Sequence, residues 1–438
     1  MTIQNSKFFK VLYQSRKRES WARLGEIKTA HGIIKTPAFV AVGTKGTVKS
    51  LLPTLLKEIG TQVAFVNTYH LVTHPGVEVI EKAGGIHRYA NLNLPLMSDS
   101  GGFQIFSLAR NKIQNAKFKS QNLPAGRQGD NLKFKISREK GELAVIKISD
   151  DGVRFRSVFD GTILEFTPEK SIEYQQKIGA DIMMAFDECI PYGVNYEYTK
   201  EATERTHRWL ERCIEKFKLQ NAKCKMTMQN SKLNNEKIYK KQYLYGVIQG
   251  GVFEDLRKKS AKFVVSQGTA GVAIGGVSVG ETKKEMRDQV RWVSPFLPKD
   301  RPVHLLGVGE FDDILDLVKY GLDTFDCVEP TRLARMGIVY KIQNSNLKSQ
   351  NLPAGRQGDN LKLKIEKIDI LKGIYRQDLS KVDEECGCYI CQNFTKSYLH
   401  HLFKNRELLA YTLATYHNLF VMERFFEKVR EAIEKDII

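Results

Sequence analysis

Short runs of apolar and β-branched residues alternate along this chain with segments whose apolar positions recur at three-to-four spacing. QVAFVNTYHLV, LPLMSDS, ADIMMAFDE, YLYGVIQGG, GVAIGGVSVG, PVHLLGVG and DTFDCVEP read as buried strands, because a strand covered on both faces is apolar throughout. Between them, SIEYQQKIG, KEATERTHRWLERCIEKF, VFEDLRKKSAKFVVSQG, KKEMRDQVRWV and EFDDILDLVKYG carry helical periodicity. The first follows Thr167 as N-cap and Pro168 in the first turn. This alternation predicts an α/β fold with a parallel sheet closed as a (β/α)8 TIM barrel. A doubly wound open sheet is the main alternative, but no GxGxxG opens a helix after an early strand to support it. DSGGFQ, DEC, QGG, GG, GVG and DCVEPTR all fall at the C-terminal ends of the apolar runs, the face on which barrel enzymes build their sites.

With 438 residues and 42% hydrophobic content, the chain can bury one large core or two ordinary ones. It has no run of about 18 apolar residues, and MTIQNSKFFKVLYQSRKRES lacks an apolar signal region, so a cytoplasmic protein with no membrane partner is expected. A formal charge of +18 suggests nucleic acid until the charge is located. Most of it lies in residues 111–136, 218–241 and 341–365, and only +3 remains elsewhere. QNLPAGRQGDNLK occurs twice, at 121–133 and 350–362, and all three stretches are polar and without apolar periodicity. They read as mobile surface insertions, with dedicated RNA binding as the other reading. The expected organisation is a catalytic barrel over 1–340 with insertions near 111–136 and 218–241, and a further insertion at 341–365. A zinc-binding subdomain with C-terminal helices packing on the barrel follows over 366–438.

The strand ends hold the candidate chemistry. Asp99, in LMSDSGGFQ, precedes a glycine pair that permits close approach to a ligand; it suits a general base, or a cap on the next turn. Phe103 offers a flat face for stacking on a base, or a core contact. Asp326 lies between Phe325 and Cys327, where an unpaired charge is costly. It is either ion-paired, with Arg332 or Arg335, or a nucleophile. Asp187 with Glu188, and Gln249 with Gly250 and Gly251, close two strands. A carboxylate and a carboxamide can bind a purine edge, helped by backbone N–H groups near Gly275 and Gly276; ordinary turn chemistry is the competing account.

Cys386, Cys388 and Cys391 form C-x-C-x2-C within an odd total of seven cysteines, which points to a metal in preference to disulfides. Three thiolates and an imidazole make a closed tetrahedral zinc set of the structural kind. His400, His401 and His417 compete for the fourth place.

In this order and at compatible separations, SDSGGFQ, MAFDEC, the Gln-Gly-Gly strand end, AIGGVSVGE, LLGVGE, FDCVEPTR and CxCxxC...HN resemble the tRNA-guanine transglycosylase family. The resemblance covers essentially the whole chain outside the insertions and implies a (β/α)8 barrel with a C-terminal zinc-binding subdomain. It implies Asp326 as the nucleophile on ribose C1′ and Asp99 as general acid/base. It places the base between Phe103 and Leu306, with Asp187, Gln249 and the Gly276 N–H on its edge. Arg332 and Arg335 become anticodon-loop contacts, and Cys386, Cys388, Cys391 and His417 the ligands of one structural Zn2+ per chain.

Cys189 and Val279 resemble the bacterial version, a homodimer that exchanges the wobble guanine of tRNAs with UGU-type anticodons for 7-aminomethyl-7-deazaguanine (preQ1) in queuosine biosynthesis. Two features depart from the pattern: the insertions, and Glu329 before Pro330 where an apolar residue is usual, which bears on the field at Asp326. Two other functions compete. A non-catalytic tRNA-binding paralogue would have lost the carboxylates, and a barrel glycoside hydrolase would leave DSGGFQ and the cysteines without a role.

Overall fold

The computed structural model describes residues 8–105, 145–157, 161–230, 241–344 and 363–438. Eight parallel strands close into a barrel in chain order: β1 (Ala38–Val42), β2 (Ala64–Val66), β3 (Leu96–Ser98), β4 (Ile182–Met184), β5 (Tyr243–Ile248), β6 (Gly271–Ile274), β7 (Val303–Leu305) and β8 (Thr324–Cys327). Closure is made by β8 on β1, with Thr324 opposite Ala38 and Asp326 opposite Val40. Seven of these strands lie within the seven apolar runs, and the eighth, β1, lies in TPAFVAVG, which was not among them.

One run needs correction. QVAFVNTYHLV is strand only over Ala64–Val66, because Asn67 then accepts the His70 N–H at 3.0 Å and caps the helix Thr68–Thr73. The remaining apolar residues of the run are the buried face of that helix, a case that composition alone does not separate from a strand.

Side-chain alternation along the strands feeds two cores. Val40, Phe65, Met97, Met184, Val247 and Ala273 fill the barrel interior, whereas Phe39, Val66, Leu96, Met183, Ile248 and Ile274 face the helices. The interior is sealed at its N-terminal end by an antiparallel sheet of Phe9–Gln14, Arg23–Thr29 and Gly32–Thr36. Phe8 stacks there on Tyr243 at 3.7 Å, and Phe9, Ile27 and Ile34 join the interior core.

The outer helices follow the periodic segments. Pro168–Ile178 begins after Thr167, whose hydroxyl accepts the Lys170 N–H, and Lys283–Val293 begins with a capping box of Thr282 and Glu285. The first charged stretch, 111–136, lies outside the described residues, as do 231–240 and 345–362. Residues 218–230 continue the helix Tyr196–Asn230. Residues 341–344 and 363–365 pair within an antiparallel hairpin, Ile338–Asn344 with Leu363–Asp369, where Ile342 and Ile365 lean on the main core. The ends of the third stretch are therefore built into the sheet.

Beyond the hairpin come the helices Tyr389–Asn393, Lys396–Lys404 and Leu408–Glu434. The last packs on β1 and on the helix Glu329–Arg335. Asn418, buried in it, donates to the carbonyls of Pro330 and Ile338 and accepts the Tyr340 N–H at 3.0 Å. This carboxamide ties the C-terminal segment to the strand end that carries Asp326.

Candidate active site

Asp99 directly follows β3, and backbone geometry fixes its side chain. Its carboxylate accepts the Thr68 N–H at 2.8 Å and the Gly101 N–H at 3.1 Å, and the Asn67 amide donates to its other oxygen. The capping alternative is thus partly realised: the Gly101 bond satisfies the turn that follows Asp99, and the Thr68 bond serves in addition the first turn of the helix Thr68–Thr73. Those bonds also hold it at the barrel mouth. Burial pushes its carboxyl up to about 7, with the charges of Asp187 and Asp326 adding to the rise and the Thr68 and Gly101 N–H groups opposing it.

Asp187 is buried beyond the end of β4. It accepts from Ser100 Oγ at 3.0 Å and from Gln249 Nε2 at 2.7 Å. Burial pushes it up to about 6 against those two hydrogen bonds. Glu188 turns the other way, to Tyr198 at 2.6 Å and Arg205, and is structural. Gln249 is fully buried, and its Oε1 has no hydrogen-bond partner among the described residues. An unmade bond on a buried carboxamide is costly, so an acceptor left over there suits a ligand donor.

Two glycines are required by this packing. A Cβ on Gly276 (φ +62) would lie 2.2 Å from Gln249 Oε1, and one on Gly102 would lie 2.6 Å from the Asp187 carbonyl. Phe103, next to Gly102, is 49% exposed, unusual for a large aromatic and suited to stacking. Leu306, at the end of β7, is part-buried against the interior core.

Asp326 makes neither of the ion pairs considered for it. Its Oδ1 lies 3.1 Å from His304 Nε2 and accepts the Gly307 N–H at 3.0 Å. Its charge contributes to the rise at Asp99, so the two carboxylates share one electrostatic site. Glu329, the departure from the expected pattern, is paired with Lys367 at 2.7 Å across the C-terminal hairpin. Its charge is therefore compensated.

Arg332 is exposed on the helix after β8, while Arg335 is half-buried and donates to the Thr331 carbonyl at 2.6 Å. Lys49, from the loop after β1, faces the same cluster: burial lowers its ammonium, and Arg335, Lys45 and Arg332 lower it further. Burial, with Lys45 and Lys49 adding, brings His70 down to about 4, leaving it neutral at physiological pH. Four cations crowding one rim make a surface for polyanion backbone.

Several of these participants escaped the sequence reading. Arg257 was legible as a charge on the apolar stripe of its helix. It is fully buried and donates to the carbonyls of Gly251, Gly275 and Gly276 at 2.7, 2.6 and 2.7 Å, which ties together the loops that follow β5 and β6. Asn67, Lys45, Lys49 and His304 gave no local signal, since their roles depend on neighbours distant in sequence.

Away from the mouth, Cys386, Cys388, Cys391 and His417 are buried, with their ligand atoms within 4.8 Å of one another. His417 Nδ1 lies 3.4 Å from Cys388 Sγ and 3.5 Å from Cys391 Sγ. Bonds of about 2.3 Å to sulfur and about 2.1 Å to nitrogen give a tetrahedral edge of roughly 3.6 Å, so the donor set fits a metal of zinc's size. His417 Nε2 contacts the Tyr340 carbonyl at 2.6 Å, which fixes the ring and leaves Nδ1 for the metal. His400 instead contacts the Ile370 carbonyl, and His401 lies beside Asn405.

A parallel barrel with carboxylates gathered at its C-terminal mouth and a buried Cys3His group beyond it defines a barrel enzyme with an appended metal-binding segment. The family model described as queuine tRNA-ribosyltransferase matches residues 18–135 and 129–438. The chain is 41% identical over 428 residues to the queuine tRNA-ribosyltransferase of Thermoanaerobacter pseudethanolicus, covering 97% of this chain and 94% of that protein. It is 40% identical over 420 residues to that of Aquifex aeolicus (95% and 93%) and 39% identical over 408 residues to that of Synechococcus elongatus (93% and 87%). The chain belongs to the queuine tRNA-ribosyltransferase family and is a pentosyltransferase. Among the described residues, no helix is long and apolar enough to cross a membrane.

Proposed function

We propose that the protein exchanges the wobble guanine of tRNAs with UGU-type anticodons for preQ1 through a covalent tRNA–Asp326 intermediate. One observation carries the reading: Asp99, Asp187 and Asp326 stand at the C-terminal ends of barrel strands, with Gln249 bonded to Asp187 and its Oε1 without a hydrogen-bond partner among the described residues.

In the first displacement an Asp326 oxygen bonds to ribose C1′ as the bond from C1′ to guanine N9 breaks, its electron pair leaving with the base. Asp99, poised near neutrality, supplies the proton that neutralises the leaving base and later removes the N9 proton of the incoming one. Two displacements at one carbon retain configuration. Phe103 and Leu306 sandwich the base, while Asp187, Gln249 and the Gly276 N–H read its edge. Arg332 and Arg335, joined by Lys45 and Lys49, hold the anticodon-loop phosphates. Zinc on Cys386, Cys388, Cys391 and His417 would cross-link the C-terminal segment and take no part in the exchange.

Exchange of labelled guanine into such a tRNA tests the reading. Asp326→Ala should abolish exchange and the covalent adduct while zinc content and fold persist. An Asp326→Ala protein that still exchanges base would sink the assignment.

A further inference from the structure

We propose that His304 is a positioning residue that locks one oxygen of Asp326 and leaves the other to attack. The proposal rests on Asp326 being the nucleophile. His304 is the middle residue of β7 and is fully buried. It is in register with Thr324 on β8, and Asp326 follows two residues later, so both β8 side chains project to the same face of the sheet as the imidazole. The ring bridges them, with Nδ1 2.9 Å from Thr324 Oγ1 and Nε2 3.1 Å from Asp326 Oδ1. Phe65 lies against the ring at 5.8 Å, which limits its rotation inside the packed barrel.

As a nucleophile Asp326 must be a carboxylate, which only accepts, and this sets the direction of these bonds. Thr324 Oγ1 has no other hydrogen-bond partner among the described residues, so its proton is available to Nδ1. A neutral imidazole that accepts at Nδ1 carries its own proton on Nε2 and donates it to Asp326. The opposite tautomer would require Asp326 to hold a proton and would spoil it as a nucleophile. With the Gly307 N–H as second donor, Oδ1 is engaged twice, whereas Oδ2 makes no hydrogen bond among the described residues. Oδ2 is therefore the atom that bonds to C1′, and two donors on Oδ1 stop the carboxylate from swivelling away from it.

The test uses full-length zinc-loaded enzyme and three variants. His304→Phe keeps a planar ring of similar size and removes the donor. His304→Gln places an amide N–H as many bonds from Cβ as Nε2. Thr324→Val removes the hydroxyl that can donate to Nδ1 and so favour the proton on Nε2.

The readouts are single-turnover formation of the covalent tRNA adduct, tRNA binding, and the thermal midpoint. Losing a hydrogen bond to a charged group predicts that His304→Phe slows adduct formation roughly 10- to 100-fold, with tRNA binding changed by less than about twofold. His304→Gln is expected to recover most of the rate, and Thr324→Val to fall between Phe and wild type. The proposal is overturned if folded His304→Phe forms adduct at the wild-type rate. It is equally overturned if His304→Gln is folded and as slow as His304→Phe, which would mark a packing role. An Asp326→Ala protein that still forms product would overturn the nucleophile assignment instead, and is read separately.

Discussion

The two ends of the barrel hold the same residue types in opposite states. At the N-terminal end, Asp323 is fully buried and receives Arg23 Nε at 3.0 Å, Arg23 Nη2 at 2.6 Å and the Val303 N–H at 2.7 Å. Asp181 there meets His31 at 2.7 Å, His87 at 3.2 Å and the Leu96 N–H at 2.9 Å. Burial alone would raise the Asp181 carboxyl, but the two histidines and that N–H outweigh it and hold the group well below the ordinary range. At the C-terminal mouth, Asp99 and Asp187 are raised by burial, because their partners are amides and hydroxyls and, among the described residues, no cation pairs with them. Compensated carboxylates hold the barrel together; the uncompensated ones are those to which the proposed function gives the chemistry.

The sharpest way to break this contrast is to neutralise Asp99. General acid–base catalysis contributes about 10²- to 10⁴-fold, so Asp99→Asn should lower exchange by that order in a steady-state assay. The wild-type pH–rate profile should carry a limb near pH 7 that the variant lacks. Stability should move the other way. Because the folded-state value is raised, the native protein keeps a proton that the unfolded chain releases, and this advantage is lost as pH rises from about 4 to about 7. Asp99→Asn should therefore gain in thermal midpoint over the wild type at pH 8 and gain nothing at pH 4.

At the other end the expectation reverses. Asp323→Ala leaves the Arg23 guanidinium buried with, among the described residues, the carbonyls of Pro298, Lys299 and Arg301 and the Phe9 ring as partners and no counter-charge. Removing one partner of such a pair costs about 3–5 kcal/mol, to be read from denaturant unfolding. Exchange per folded molecule should stay at the wild-type level. A variant that lost catalysis but not stability would erase the distinction between the two ends.

The sequence made one half of this contrast legible and concealed the other. Asp99, Asp187 and Gln249 ended apolar runs, so both the barrel and its mouth could be read from periodicity and strand-end chemistry. What holds each carboxylate was not readable. Asp326 was open between an ion pair with Arg332 or Arg335 and a chemical role, and its actual partners, His304 and Gly307, come from the neighbouring strand and its end. Asp181 and His31 are 150 residues apart in sequence and meet only through closure of the fold. β1 was missed because TPAFVAVG lacks a polar strand-end motif, and the helix at Thr68 was hidden because Asn67 caps an apolar segment. Local pattern reports elements and exposed chemistry; partners across strands are set by register.

The contrast extends to cations, and there the expected effect is smallest. Arg23 is neutralised by Asp323, whereas the Lys49 ammonium is lowered first by burial and then by Arg335, Lys45 and Arg332. Under the proposed function, this rim meets the phosphates of tRNA. Lys49→Ala should therefore cost no stability, since it relieves repulsion, yet it should weaken tRNA binding by a few-fold. If Lys49 meets a phosphate, the slope of log affinity against log salt should become shallower by about 0.7, the value for one counterion released from a single strand. Affinity measured across a salt series separates this from a structural effect: an unchanged slope with weaker binding would place Lys49 among the residues that hold the mouth, not those that face RNA.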